Sequence, residues 1–236
     1  MIWALLNCQI AVKPGPVLVA ADSLNIRVFG GPFEDSPNPQ WCVDPIPLAM
    51  GIVTELQDYV RKHIDSEDDA TVACWGFHAG IPGNDYVAYA DFLLDIKTIE
   101  SHVRQKVLAL IEEKVRSDCA AAKTPKEPMF NYSVRAPLTN NNDKTTAQVQ
   151  AAFDTYLGSN SVSMKLTRAC EDFPTLGAPH DVPYTYWNFG GSKKSSGKEI
   201  PSNHSPHYAP DIDPTLKVGT DAMALAVLSF VAKKTE

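Results

Sequence analysis

The most informative stretch of the sequence is IPSNHSPHYAPDIDPTLKVG, residues 200–219. Its two histidines, His204 and His207, lie in a loop rich in proline, which fixes φ, removes a hydrogen-bond donor and excludes a helix or central strand. After Pro214 the apolar residues recur at helical spacing, from Leu216 to Val231. A rigid loop leading into a buried helix can hold an imidazole at a site. Because two histidines do not make a metal site, a surface loop with solvated histidines fits these residues equally well.

Three motifs stand in one order along the chain. They are Glu171-Asp172-Phe173, the run from Pro183 to Gly191, and Asn-His-Ser-Pro-x-Tyr-Ala-Pro at 203–210, which is followed by Pro214-Thr215-Leu216 and Gly219-x-Asp221-Ala222. In this set the chain resembles the two-metal amidohydrolases, the aminoacylase, hippurate-hydrolase and carboxypeptidase-G-like enzymes of peptidase family M20. The resemblance extends from about Pro14 onward, and its C-terminal motif is the most specific part.

The pattern predicts an α/β chain containing one ferredoxin-like unit. Leu24, Ile26 and Val28 alternate with Asn25, Arg27 and Phe29, as in a half-buried strand. Strands are predicted over 17–29, 71–77, 86–96 and 128–134, and helices over 43–64 and 99–122. This βαββαβ order predicts a four-stranded antiparallel sheet with both helices on one face. The resemblance likewise implies a lid, or dimerisation, domain, assigned to residues 18–138.

Residues 1–17 and 139–236 resemble an incomplete α/β zinc-peptidase-like catalytic domain. Strands are predicted over 2–12 and 182–189, a helix over 145–157, and a final helix after Pro214. Residues 138–144, which contain three asparagines in a row, are predicted to be a polar linker.

Composition narrows the possible partners and compartment. A net charge of −7 argues against a nucleic-acid partner, because no basic field would meet the phosphates. Five cysteines without short spacings favour neither a disulfide framework nor a zinc knuckle, so we expect a reducing, cytoplasmic location. The sequence contains no run of 18 apolar residues, so no membrane span is predicted. The apolar first residues lack the basic start of a signal peptide.

The resemblance implies a divalent metal cofactor, zinc or alternatively manganese or cobalt, and a metal-ligand position at His204. In the family the other ligands and the general-base glutamate precede the matched region. Residues 1–17 offer no substitutes, since Asn7, Cys8 and Gln9 are the polar side chains before Lys13. A single histidine holds a divalent ion weakly, so we expect no stoichiometric metal in this chain. His207 falls at a variable position and is expected to face solvent.

The resemblance places further residues beside the substrate site: Glu171, Asp172, Asn84, Lys97 and Asn203. For Glu171 and Asp172 a purely structural turn, with Asp172 capping backbone donors, is an equal alternative. Lys97 stands where arginine is frequent in the family. Its ammonium group carries a compact charge and lacks the two parallel hydrogen bonds that a guanidinium can donate. Glu34 or Asp35 stands where the family has a lid histidine that reaches into the partner's active site. A carboxylate there would repel developing negative charge.

The sequence therefore predicts a relative of amidohydrolases that cleave N-acyl amino acids or similar small amides, inactive or strongly impaired because its catalytic set is incomplete. The alternative is a non-catalytic dimerising or binding relative, or a truncated gene product. The resemblance also implies a homodimer formed through the lid domain.

Overall fold

A computed structural model of the chain describes residues 5–32, 42–80, 83, 87–192 and 200–232. The chain divides into two compact units. The first, here called the sheet unit, is Ala20–Ala136, and the second, the signature unit, combines Met1–Val19 with Pro137–Glu236. In chain order the helices and strands are β1 (Ile10–Val12), β2 (Gly15–Leu18), β3 (Ala20–Phe29), β4 (Gly31–Pro32), β5 (Cys42–Val43), α1 (Pro45–His63), β6 (Ala70–Ala79), β7 (Tyr89–Thr98), α2 (Ser101–Ala121), β8 (Met129–Ala136), β9 (Thr139–Asn141), α3 (Asp143–Leu157), β10 (Ser161–Ser163), β11 (Asn188–Phe189) and α4 (Thr215–Val231).

The sheet unit is built on a four-stranded sheet in the order β6-β7-β3-β8. All three pairings are antiparallel, and β3 pairs with β7 over ten residues, from Ala20 opposite Thr98 to Phe29 opposite Tyr89. With α1 after β3 and α2 after β7, this is the βαββαβ order that the sequence pattern predicts. The roles of lid and partial catalytic domain stay predictions.

Both long helices cover the same face of this sheet. Leu24 and Ile26 of β3 and Phe92 of β7 are fully buried and share one core with Ile52 of α1 and Ile111 of α2. The N-terminus of α1 is capped by Asp44, whose Oδ1 accepts a hydrogen bond of 2.9 Å from the Ile46 amide, as the Asp-Pro signal predicts. One apolar face of the sheet is thereby closed, which is what the period-two and helical patterns require.

A buried ion cluster ties β3 and β8 to α2. Asp22 is 1% exposed and accepts two hydrogen bonds of 2.7 Å from the Arg104 guanidinium. Arg135 donates a third, of 3.2 Å, to the same carboxylate. A buried carboxylate persists when its charge is paired and its lone pairs are used, as they are here.

The signature unit is built from small sheets. Strand β1 pairs in parallel with β10 and antiparallel with β11, and β2 pairs with β9. Side chains alternate across β1: Ile10 and Val12 pack with α3 and α4, whereas Ala11 belongs to a second cluster with Val17 and Met164. Both clusters are much smaller than the core of the sheet unit.

Four predicted elements differ from the structure. Of the strand predicted over 2–12, only Ile10–Val12 is a strand among the described residues, because a turn joins Leu6 to Gln9. The run 17–29 is two strands with different partners. The predicted linker contains β9, whose Asn141 side chain is 2% exposed. The strand predicted over 182–189 is reduced to β11, and β10 has no counterpart in the prediction.

Among the described residues, no helix combines the length and the apolar content that crossing a membrane requires.

Candidate functional site

The predicted metal-ligand position lies in a short exposed turn. Ser205 donates its amide hydrogen to the Ser202 carbonyl at 2.9 Å, and Tyr208 donates to the Ser205 carbonyl at 3.0 Å. Between these bonds Asn203, His204 and His207 are all exposed. The turn therefore presents the His204 imidazole to solvent, and His207 is exposed as predicted.

The histidine loop is anchored at its C-terminal end on a glycine pair and on the N-terminal segment. The Asp211 amide donates to the Gly191 carbonyl at 2.7 Å, and the Asn7 side-chain amide donates to Asp211 Oδ2 at 3.1 Å. A side chain at position 191 would collide with the Tyr208 hydroxyl, and one at position 190 would collide with the Leu6 backbone. Close backbone approach therefore explains the two adjacent glycines.

Sequence reasoning missed the anchoring roles of Asn7 and Asp211, which are 204 residues apart. A usable signal was present, because Asn7 is one of the few polar residues in the apolar segment 2–12. In the structure it is 6% exposed. A buried amide side chain requires hydrogen-bond partners.

The acidic pair predicted to lie beside the site is on the surface. Glu171 and Asp172 are both exposed. Asp172 precedes a single 3₁₀ turn, Phe173–Leu176, and its side chain makes no capping hydrogen bond. Its backbone carbonyl instead accepts from the amide and hydroxyl of Thr175, at 2.8 and 2.6 Å. The predicted side-chain capping role of Asp172 is therefore wrong, because the backbone itself satisfies this turn.

Aromatic side chains follow this acidic turn. Phe173 packs edge-on against Tyr184 and Tyr186, with ring centroids 5.5 and 5.4 Å apart. Burial and then the negative charge of Glu171 raise the pKa of Tyr186 above its ordinary value.

Asn141 holds the backbone around Tyr186, which precedes strand β11. Its Nδ2 donates to the carbonyls of Lys13 and Tyr186 at 2.9 and 2.8 Å, and its Oδ1 accepts from the Tyr186 amide at 2.6 Å. Three hydrogen bonds from one buried side chain mimic a strand pairing and fix this backbone.

Lys97 belongs to the sheet unit and is occupied by its neighbours. Its Nζ lies 3.3 Å from Asp95 Oδ2 and 5.3 Å from the centroid of the Trp75 ring. The remaining predicted positions, Asn84, Glu34 and Asp35, lie outside the described residues.

The described residues do not fit a two-metal centre. Within the described ranges no group of three or more histidine, cysteine, aspartate or glutamate side chains is close enough to hold an ion. Metal sites in proteins take three or four such ligands. The structure groups Glu171 near Tyr186 and presents His204 on a separate loop, without joining them into one ligand set.

Comparison with known proteins gives relatives of one kind. No family model matches the chain. Hippurate hydrolase of Campylobacter jejuni is 30% identical over 135 residues, which are 56% of this chain and 34% of that enzyme. N-acetylcysteine deacetylase of Bacillus subtilis is 28% identical over 70% of this chain and 42% of its own length. The chain thus spans less than half the length of these curated relatives.

Solved structures share the fold. The Bacillus subtilis YxeP protein, a dinuclear metal binding peptidase from the M20 family, matches 95% of this chain and 53% of its own with a TM-score of 0.67 and 20% identity. The aminobenzoyl-glutamate utilization protein of Klebsiella pneumoniae matches 98% of this chain and 53% of its own, with a TM-score of 0.72 and 10% identity. At these identities the structures establish the fold alone.

The predicted resemblance and fold class are confirmed. The chain is related to the amidohydrolases and has an α/β fold shared with M20 peptidases. Relatives and fold are together consistent with membership of peptidase family M20.

Proposed function

We propose that this chain carries part of the site of a metal-dependent amidohydrolase for N-acyl amino acids. The observation that carries the proposal is the signature loop, in which Asn203 and His204 sit on an exposed turn whose far end is anchored on Gly191 and Asn7. The relatives' names support the substrate class: hippurate hydrolase, N-acyl-L-amino acid amidohydrolase and N-acetylcysteine deacetylase. Each of these enzyme names refers to a substrate that is an amino acid acylated on its nitrogen.

The chain by itself is proposed to hydrolyse such amides slowly or not at all. Amide hydrolysis at a two-metal centre needs several ligands around each ion and a general base on the bound water. The described residues contain no such ligand cluster, and Glu171 lies on a different loop from His204. Loss of a general base alone typically costs about 10²–10⁴ in rate.

The test is an assay of N-benzoylglycine and N-acetyl amino acids with the purified chain, with and without zinc, cobalt or manganese. We expect no metal-dependent turnover above the buffer rate. His204→Ala and His207→Ala are matched variants, since both side chains are exposed in the same turn. Metal-dependent turnover that disappears in His204→Ala and survives in His207→Ala would overturn the proposed inactivity and reveal a complete site.

A second candidate, a dimerising relative, is favoured by the open edge of the sheet unit. Strand β6 is an edge strand, and a groove of about 470 Å³ separates it from α1. The lining of the groove is mixed, with Val60, Ile64 and Val72 beside polar residues such as Gln57 and Asp65. An exposed strand edge accepts another strand by main-chain pairing. We therefore propose a homodimer formed edge to edge through β6.

The edge dimer is tested by adding a lysine to either edge of the sheet. Thr71→Lys on β6 should weaken the dimer in sedimentation equilibrium, because a charged side chain on an edge strand disfavours pairing with another strand. Asn131→Lys on the opposite edge strand, β8, is the matched control. A monomer at all accessible concentrations, or equal loss of the dimer in both variants, contradicts this interface.

A further inference from the structure

Helix α4 of the signature unit is apolar on two sides. One side, with Thr215, Val218, Ala222 and Ala226, is buried; the last three pack in the core formed by β1 and α3. The other side carries large apolar residues that are 50–68% exposed: Leu216, Met223, Val227, Phe230 and Val231. A helix that is apolar nearly all round is ordinarily covered on every side, so the exposed side needs a partner.

The exposed side has the spacing of a helix-pairing seam. Leu216, Thr220, Met223, Val227 and Phe230, here called the α4 seam, are separated by four, three, four and three residues. At 3.6 residues per turn these five positions fall within an arc of about 80°. The alternation of three and four is the a/d pattern by which α-helices pack along one another.

The α4 seam contains no charge and no unmet hydrogen bond. Its one polar member, Thr220, donates its hydroxyl to the Leu216 carbonyl at 2.9 Å, so burial would not orphan it. The charged residues of the helix, Lys217 and Asp221, pair with each other on its flank, where the Tyr156 hydroxyl also donates to Asp221. The seam is therefore suited to a dry helix–helix contact.

The apolar surface continues beyond the N-terminus of the helix. Phe189 and Ile212 are 49% and 81% exposed, and with Leu216 they line an apolar hollow of about 420 Å³. At roughly 100 Å² each, half the area of a buried aromatic side chain, these two residues and the five large apolar residues on the exposed side of α4, Leu228 on the flank left out, present on the order of 700 Å². This exceeds the largest apolar patch of a typical monomer, about 300–600 Å², and approaches the roughly 800 Å² that each partner contributes to a standard interface.

We propose that the α4 seam docks antiparallel against the α4 seam of a second copy of this chain. A two-fold axis near Met223 would place Leu216 opposite Val231 of the other copy and Thr220 opposite Val227. In such an isologous contact the same surface of both copies is buried, so a charged seam would face a like charge. The α4 seam carries no charge. The flanking Lys217 and Asp221 keep their pairing with each other at the edge of this contact. The proposal does not rest on the proposed hydrolytic function, and it concerns a different unit from the β6 edge.

Disulfide trapping under mild oxidation tests the geometry of this pairing in the full chain. Met223→Cys lies near the two-fold axis, so its thiols should trap a covalent dimer rapidly. Leu228→Cys is the matched control, because it is similarly exposed, at 54% against 57%, but points away from the seam. The chain without an added cysteine gives the background from native thiols, among which Cys74 is exposed. Equal trapping at both positions would overturn the proposal.

A charge placed in the seam tests the same contact without covalent chemistry. In the Thr71→Lys background, where the proposed β6 contact is weakened, Val227→Asp should weaken the remaining association on the order of a hundredfold in sedimentation velocity, because two carboxylates would be buried against apolar groups. Leu228→Asp, on the flank, should leave association unchanged. Far-UV circular dichroism checks that both variants fold, which their half-exposed positions permit. A wild-type chain that remains monomeric, or a different polypeptide that occupies this face in place of a second copy, would overturn the proposal.

Discussion

The two units bury apolar surface in different ways. In the sheet unit, β3, β6 and β7 are each ten residues long and share one core with α1 and α2. In the signature unit the strands are two to four residues long and the core is divided into two small clusters. Of the eighteen exposed large apolar side chains in the described residues, thirteen belong to the signature unit. The sheet unit closes its own core, whereas the unit that carries the signature needs further contacts to cover its surface.

The largest expected effect concerns the buried ion cluster of the sheet unit. Asp22→Ala should destabilise this unit by about 3–5 kcal/mol, because Arg104 loses a buried counter-ion. Urea unfolding would measure the loss. Asp58→Ala, which removes an exposed ion pair with Arg61, is the control and should cost about 0–1 kcal/mol. Equal effects of the two substitutions would show that the sheet unit does not depend on its buried cluster.

A smaller effect is expected from the polar clamp of the signature unit. Asn141→Ala removes three hydrogen bonds and leaves the Tyr186 amide and two carbonyls without them. We expect a loss of about 1–3 kcal/mol and faster hydrogen exchange at Tyr186. Asn140→Ala, at an exposed position of the same strand, should change neither quantity. Unchanged hydrogen exchange at Tyr186 in Asn141→Ala would contradict the role of Asn141 in fixing this backbone.

Removing one helix cap from each unit allows the stabilities of the two units to be compared. Asp44 caps α1 of the sheet unit, and Asn142 caps α3 of the signature unit by accepting from Lys144 and Thr145, both at 3.1 Å. Replacing either with alanine should cost about 1 kcal/mol. The loss in Asn142→Ala should appear at a lower urea concentration, because the smaller core unfolds first. The reverse order would contradict the difference in core closure.

The last prediction is a pH dependence in the sheet unit that appears only in alkali. Burial, followed by the hydrogen bond to Glu112, raises the pKa of Tyr132 to about 12 from 10.0. Because the folded pKa is the higher one, the stability that this tyrosine contributes is complete below pH 10 and is lost as the pH rises toward 12. In an ultraviolet titration Tyr132→Phe should lose one late-ionising tyrosine, whereas the raised pKa of Tyr186 should be unaffected. A titration unchanged by this substitution would contradict the assignment.

The same contrast explains what could be predicted from sequence. The long strands and helices of the sheet unit carry enough repeats for their periodicity to be recognised, and they lie close to the predicted bounds. Strand β9 has the sequence Thr-Asn-Asn, which predicts a linker, because the side-chain hydrogen bonds that stabilise the strand reach residues far along the chain. The Asn7–Asp211 contact is likewise non-local. The motif located the His204 loop, but its exposure and its distance from other ligands depend on the fold.

The central claim, that the described residues hold a signature histidine without a metal centre, is tested most directly by metal analysis. The purified chain would be equilibrated with zinc, desalted and measured by inductively coupled plasma mass spectrometry, beside His204→Ala and His207→Ala. We predict bound zinc well below one equivalent per chain, at the same level in all three proteins. One or two equivalents that fall in His204→Ala and persist in His207→Ala would contradict the account.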